Sequence, residues 1–126
     1  MTLILDAGAL LAVEHGNRHV VALIKRERLA GRIPVTHGGI VGQVWRGGNR
    51  RQVPVARLLA STRIIPVDDD LGRSAGLLLA KAGSSDVLDA AVVLLAADGD
   101  NILTSDPGDL THLAIHAGIH VEIIPM

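Results

Sequence analysis

The sequence holds no cysteine, and Trp45 is its one aromatic side chain of the Phe, Tyr and Trp kind among 126 residues. Each absence removes a class of protein. Without thiols there is no disulfide framework, no thiolate nucleophile and no Cys-based zinc site, and a reducing compartment fits the chain. With a single aromatic, any core has to be packed from Leu, Ile, Val and Ala, a composition suited to helices laid on a sheet. An excess of either charge is also missing. Twelve Lys and Arg stand against 13 Asp and Glu, net −1, which excludes a uniformly basic nucleic-acid coat and leaves local patches open. No uninterrupted apolar run approaches the ~20 residues of a membrane span. The opening segment, MTLILDAGALLAVEHG, has no basic leader and meets Asp6 early, which speaks against a secretory signal. A chain of this length supports one compact core and is too short for two. The expectation is a single cytoplasmic domain over 1–126, with no membrane partner.

What is present is punctuated regularly. TLILD is a short apolar run ending in an acid, the pattern of a strand buried on both faces, and AGALLAVEHG after it turns helical. Between Asn17 and Ala30, Val20, Val21, Leu23, Ile24 and Leu29 alternate with Lys25, Arg26, Glu27 and Arg28, so an amphipathic helix is expected, stopped by Gly31. RIPV reads as a second strand. A helix from about Gly39 to Arg46, a Gly- and Asn-rich break, and a short helix from Val53 to Ala60 follow. TRIIPV gives a third strand, and Asp68 caps a helix running to about Ala82. Ser85 is then expected to cap a helix reaching Ala97, before a fourth strand in NILTSD. The last helix carries Pro107 in its first turn and Gly118 after its end, and HVEII closes as a fifth strand. Continuous rather than alternating apolar strands, separated by helices, predict a parallel sheet with helices on both faces.

The acids concentrate the chemical interest. Asp6 and Asp106 stand at strand ends, where an open parallel sheet gathers its ligands, although Asp between strand and helix is also a favoured cap worth about 1 kcal/mol. Asp89 is harder to explain by capping. Val87, Leu88 and the run from Ala90 to Leu95 leave its helix no polar face, and an unpaired carboxylate there would cost several kcal/mol. Asp86 lies three residues earlier on the same face, where facing the helix dipole is a sufficient alternative. Carboxylates delivered to one place would bind a hard cation, Mg²⁺ or Mn²⁺ before any soft metal, and such a site serves metal-dependent nuclease chemistry.

LILDAGALL near the start, SDVLDAAVVLLAA in the second half and ILTSDPGDL after it resemble the acidic motifs of PIN domains, most nearly those of the VapC-type toxins of bacterial toxin–antitoxin modules. The resemblance spans the whole chain, with motif order and spacing in agreement. It implies a PIN-like three-layer α/β/α sandwich with a five-stranded parallel sheet, and a Mg²⁺- or Mn²⁺-dependent endoribonuclease that cuts RNA through metal-activated water. By motif, Asp6, Asp89 and Asp106 are the implied metal-binding and catalytic acids, with Asp86 and Asp109 as supporting acids. PIN domains of this kind carry a Glu in the helix after the second strand, where HGGIVGQVWRGG has Gln43. An amide in that catalytic position can ligate or orient water but brings no charge. The resemblance further implies a cognate VapB-like antitoxin lying across the active-site groove, and a homodimer.

Trp45, Arg46, Arg50 and Arg51 surround a flexible GGN, a combination that can hold RNA phosphates and an unpaired base, or an acidic segment of the antitoxin. A solvated loop around a core Trp is the plain alternative. His15 with His19, and His112 with His116, have the spacing of zinc-binding pairs, but no third ligand accompanies them and surface histidine is the better account. Asp68, Asp69 and Asp70 need nothing beyond capping and the helix dipole. Three functions therefore compete. The first is the VapC-like ribonuclease toxin. The second is a PIN-like binding or regulatory module whose metal site is weakened by Gln43. The third is a receiver or small hydrolase on a doubly wound sheet, which lacks the paired first-strand acids and the lysine of a receiver.

Overall fold

The apolar run at the start of the chain becomes the central strand of the sheet. In the computed structural model, which describes residues Met1–Met126, β1 (Leu3–Leu5) is buried along its whole length. It is followed by α1 (Ala7–Glu14), α2 (Arg18–Leu29), β2 (Val35–His37), α3 (Gly38–Val44), a 3₁₀ turn (Arg50–Gln52), α4 (Val53–Ala60) and β3 (Arg63–Ile65). The second half adds α5 (Asp69–Ala82), α6 (Val87–Leu94), β4 (Asn101–Thr104), α7 (Pro107–Ala117) and β5 (Glu122–Pro125). The five strands pair in parallel in the order β3-β2-β1-β4-β5, as the sequence pattern predicts. Helices α1 to α4 pack with one another, as do α5 to α7, and the two groups enclose the sheet. The core is one cluster of 24 buried residues, every one Leu, Ile, Val or Ala.

Asp68 caps α5 as the sequence suggests, accepting from the N–H of Leu71, and Asn17 caps α2 by accepting from that of Val20. Several boundaries differ. The second strand begins at Val35, not in Arg32–Pro34, because proline has no N–H for a ladder and instead sits just before the paired residues. Helix α3 correspondingly runs from Gly38 to Val44 and stops short of Arg46. The cap of α6 is Asp86 rather than Ser85, and that helix ends at Leu94 rather than Ala97. Asp100 explains the early stop. Its side chain accepts from the Ala97 N–H (2.9 Å) while its own N–H donates to the Ala97 carbonyl (3.0 Å), closing a turn that redirects the chain into β4. Asp100 also accepts from the N–H of Thr2 (2.8 Å), fastening that turn to the start of β1. No helix is long and apolar enough to cross a membrane.

Candidate metal centre

From β1 the chain proceeds outward to β2 and β3, whereas β4 leads the other way to β5. Strand order therefore reverses between β1 and β4, and the crevice beyond their carboxyl ends is where doubly wound sheets bind ligands. Asp6 follows β1 directly. The pairing of Leu5 with Leu103 sets it opposite Thr104, and the residue is only 5% exposed. One oxygen caps α1 by accepting from the Ala9 N–H (3.0 Å), and the other accepts from the Thr104 hydroxyl. Burial raises the Asp6 pKa, opposed by the Thr104 bond and by the backbone N–H groups of Ala9, Ser105 and Gly8.

The remaining acids arrive on two helix starts. Asp86 caps α6, accepting from the N–H groups of Leu88 (3.0 Å) and Asp89 (3.1 Å). This fixes the turn that carries Asp89, which is half-buried. Its pKa is pushed up to about 6, first by burial and then by the charges of Asp86, Asp106, Asp6 and Asp109. Asp106 opens α7 with no side-chain capping bond of its own. Its pKa is raised chiefly by a hydrogen bond with Asp109, one turn further on, with burial and the Asp109 charge adding to it.

Carboxylate oxygens of Asp89, Asp106 and Asp109 all lie within 4.8 Å of one another. The structure thus brings two of the motif acids together and adds Asp109, one of the two supporting acids that the resemblance implies. Asp6 stands outside this set, its oxygens engaged at the base of the crevice, and Asp86 stands outside it as a cap. None of the five acids is ion-paired with a Lys, Arg or His. Unneutralised carboxylates at this spacing fit a hard dication, which would satisfy the oxygens and relieve their repulsion.

Gln43 is not brought into that group. It is exposed on α3 and lines a depression with Glu14, Arg46, Asn49 and Arg51. The basic loop beside it is built rather than loose. Gln52, 2% exposed, accepts from the N–H groups of Arg46 (2.8 Å) and Gly48 (3.2 Å) and donates to the Val44 carbonyl (2.7 Å). Gly48 has φ +69, and a Cβ there would lie 2.7 Å from the Trp45 ring, so glycine is required twice over. Trp45 is consequently a surface side chain, 38% exposed, and the reading of it as a core residue is set aside. The Arg46 guanidinium turns back onto the carbonyls of Gly42, Trp45 and Gln43, leaving Arg50 and Arg51 as the outward cations. No histidine belongs to the acidic group. The rings of His112 and His116 lie tilted against each other with centroids 4.5 Å apart, His112 bonded to the Ala82 carbonyl and His116 to that of His112.

Two features escape a motif-based reading. Gln52 gives no signal, since a lone Gln at a helix start is ordinary. Charge segregation is countable but hidden by the near-zero total: ten of the twelve Lys and Arg fall between Arg18 and Arg63, where Glu27 is the one acid. That segment builds α2, β2, α3, α4 and β3, so one flank of the sheet is basic and the flank bearing the carboxylates is acidic.

The architecture is a PIN-like α/β/α sandwich. A solved chain of similar fold belongs to the VapBC2 complex of Rickettsia felis bound to a DNA fragment from its promoter, with TM-score 0.71, 9% sequence identity and 98% of each chain covered. No family model and no curated protein matches the sequence. At that identity the likeness shows the fold, and chemistry has to be argued from the side chains.

Proposed function

We propose that the chain is a single-domain VapC-type toxin, a divalent-metal-dependent endoribonuclease held in check by a cognate antitoxin. The observation that carries this reading is the meeting of Asp89, Asp106 and Asp109 within 4.8 Å, at the strand-order reversal of a parallel sheet, with no basic partner. These three would hold Mg²⁺ or Mn²⁺, with Asp6 as fixed negative charge behind them and Asp86 setting the turn of Asp89. A cation there supplies polarisation of a phosphodiester oxygen and a lowered pKa for water. The chain's own part is to orient the substrate. Arg50 and Arg51 engage phosphates and the exposed Trp45 face stacks on an unpaired base, while the dry floor around Asp6 and Thr104 keeps the acids in register.

The antitoxin is expected to use the same basic flank. A cavity of about 240 Å³ between α2 and α4 has Val13, Ile24, Pro54 and Leu58 in its walls and Lys25 and Arg57 among its lining cations, a surface complementary to an acidic, partly apolar segment. The reading includes a homodimer and a cytoplasmic site of action.

A second reading has a specific observation in its favour. Gln43 is uncharged and stands outside the carboxylate group, which suits a PIN-like binding or regulatory module. Cleavage of structured RNA with Mn²⁺ separates the two. The toxin reading expects cutting by the unaltered chain and its loss in Asp89→Asn and Asp6→Asn. Equal cutting by the chain and both variants would rule it out, and cutting by Gln43→Glu alone would establish the module.

A further inference from the structure

His37 ends β2 with no exposed surface at all. Its ring joins two elements that the sheet does not itself connect. Nδ1 accepts from the N–H groups of Gly39 (3.1 Å) and Ile40 (3.3 Å), capping α3. Nδ1 therefore carries no proton, and Nε2 donates to the Leu88 carbonyl at 2.9 Å. Burial, the largest influence, lowers the ring's pKa and keeps this neutral tautomer. Leu88 lies between Asp86 and Asp89, in the first turn of α6. Its side chain fills a notch left by Gly39, where a Cβ would come within 2.5 Å of Leu88 Cδ2 and 3.0 Å of the His37 ring. The hydrogen bond and the notch hold the same turn from the same side.

We infer that His37 is a positioning residue for the acidic centre: its Nε2–H grips the Leu88 carbonyl, and this grip with the Gly39 notch sets Asp89 opposite Asp106 and Asp109. The inference rests on the metal-centre reading, and it adds a residue from the far side of β1 that touches none of the acids. Groups that orient ligands at one remove are commonly worth about 10- to 100-fold in metal affinity.

The ring's two nitrogens allow its two roles to be tested separately. His37→Asn retains an acceptor near the Nδ1 position and cannot reach Leu88. His37→Gln places an amide N–H near the Nε2 position and gives up the cap. Mn²⁺ titration by calorimetry and amide exchange at Ala90 and Ala91 in the metal-free protein are read for all three chains. The expected result is a Mn²⁺ dissociation constant raised about 10-fold in His37→Asn, with faster exchange in α6. In His37→Gln the dissociation constant stays near that of the unaltered chain despite a lower melting temperature. Unchanged affinity and unchanged α6 exchange in His37→Asn would overturn the inference. Absence of Mn²⁺ binding by the unaltered chain would overturn the metal-centre reading itself, and exchange in α6 would still report whether the tether exists.

Discussion

Thr104 and Asp6, 98 positions apart, meet across the β1–β4 seam, where the threonine hydroxyl donates to the buried carboxylate. The same hydroxyl oxygen accepts from the Asp106 N–H at 2.8 Å, so one side chain fixes both strand-end acids. Thr104→Val removes donor and acceptor together and is expected to cost about 1–3 kcal/mol, the range for losing a hydrogen bond to a charged buried group. Urea unfolding measures this. Thr104→Ser should retain most of the stability, and a Val variant as stable as the parent would show that the bond contributes nothing.

Asp89 makes metal-free stability depend on pH. Its carboxyl titrates at about 6 in the folded chain against 3.8 ordinarily, so folding favours the protonated form. The stability this contributes is fully present below about pH 3.8 and is lost as pH rises through about 6. The melting temperature of Asp89→Asn should therefore exceed that of the unaltered chain by an amount that widens from about pH 4 to about pH 7. A constant gap by scanning calorimetry would show that the carboxylate is not strained.

Mn²⁺ should relieve that strain. At a free concentration of about 100 times its dissociation constant the expected stabilisation is about 2.7 kcal/mol. It should fade as pH falls below about 6, because protons compete for Asp89. Thermal shift with Mn²⁺ and then excess EDTA tests this, and a shift that survives in Asp89→Asn would place the ion elsewhere.

His37 has the opposite sign. Burial lowers its pKa from 6.5, so the stability of the neutral, doubly bonded ring is full above about pH 6.5. It is lost as pH falls from there through the lowered folded value. The stability advantage of the unaltered chain over His37→Ala should shrink on acidification, as read by urea midpoints at a series of pH values.

If the basic loop holds RNA phosphates, replacing both Arg50 and Arg51 by Ala should weaken RNA binding and lower its dependence on salt. If each contacts one phosphate, the slope of log affinity against log salt falls by about 1.4 for single-stranded RNA. Gln52→Leu should reach a similar end by another route, stranding the N–H groups of Arg46 and Gly48. It should also destabilise the chain by about 2 kcal/mol or more. Filter binding at several salt concentrations separates a lost charge from a collapsed loop.

The sequence made the parallel sheet legible because β1 and β4 are short, continuous apolar runs, and the start of α5 legible because Asp68 supplied a good cap. It misplaced the start of α6 because Ser85 and Asp86 are both good caps, and only the fold shows that the Asp86 carboxylate takes the N–H groups of Leu88 and Asp89. The end of α6 depends on Asp100, six residues beyond it, which no helical periodicity reports. In the candidate site, Asp89 was conspicuous as an acid with no polar face. Its partnership with Asp109 was less visible, since it requires α6 and α7 to dock at one particular angle. Asp6 read as an equal of Asp89 and Asp106 because its motif position says nothing about Thr104, the neighbour that holds it in the sheet floor.

The division of the chain into a basic flank and an acidic crevice has a consequence for the order of events. Such a molecule is a large electric dipole, and a polyanion approaching it is drawn to Lys25, Arg50 and Arg57 while being pushed away from the mouth formed by Asp89, Asp106 and Asp109. On the nuclease reading, until a dication offsets most of the negative charge at that mouth, RNA would lie along the flank without entering. Loading would then be sequential, ion before substrate. Uncleavable RNA should accordingly bind more tightly as Mn²⁺ rises, even at constant ionic strength.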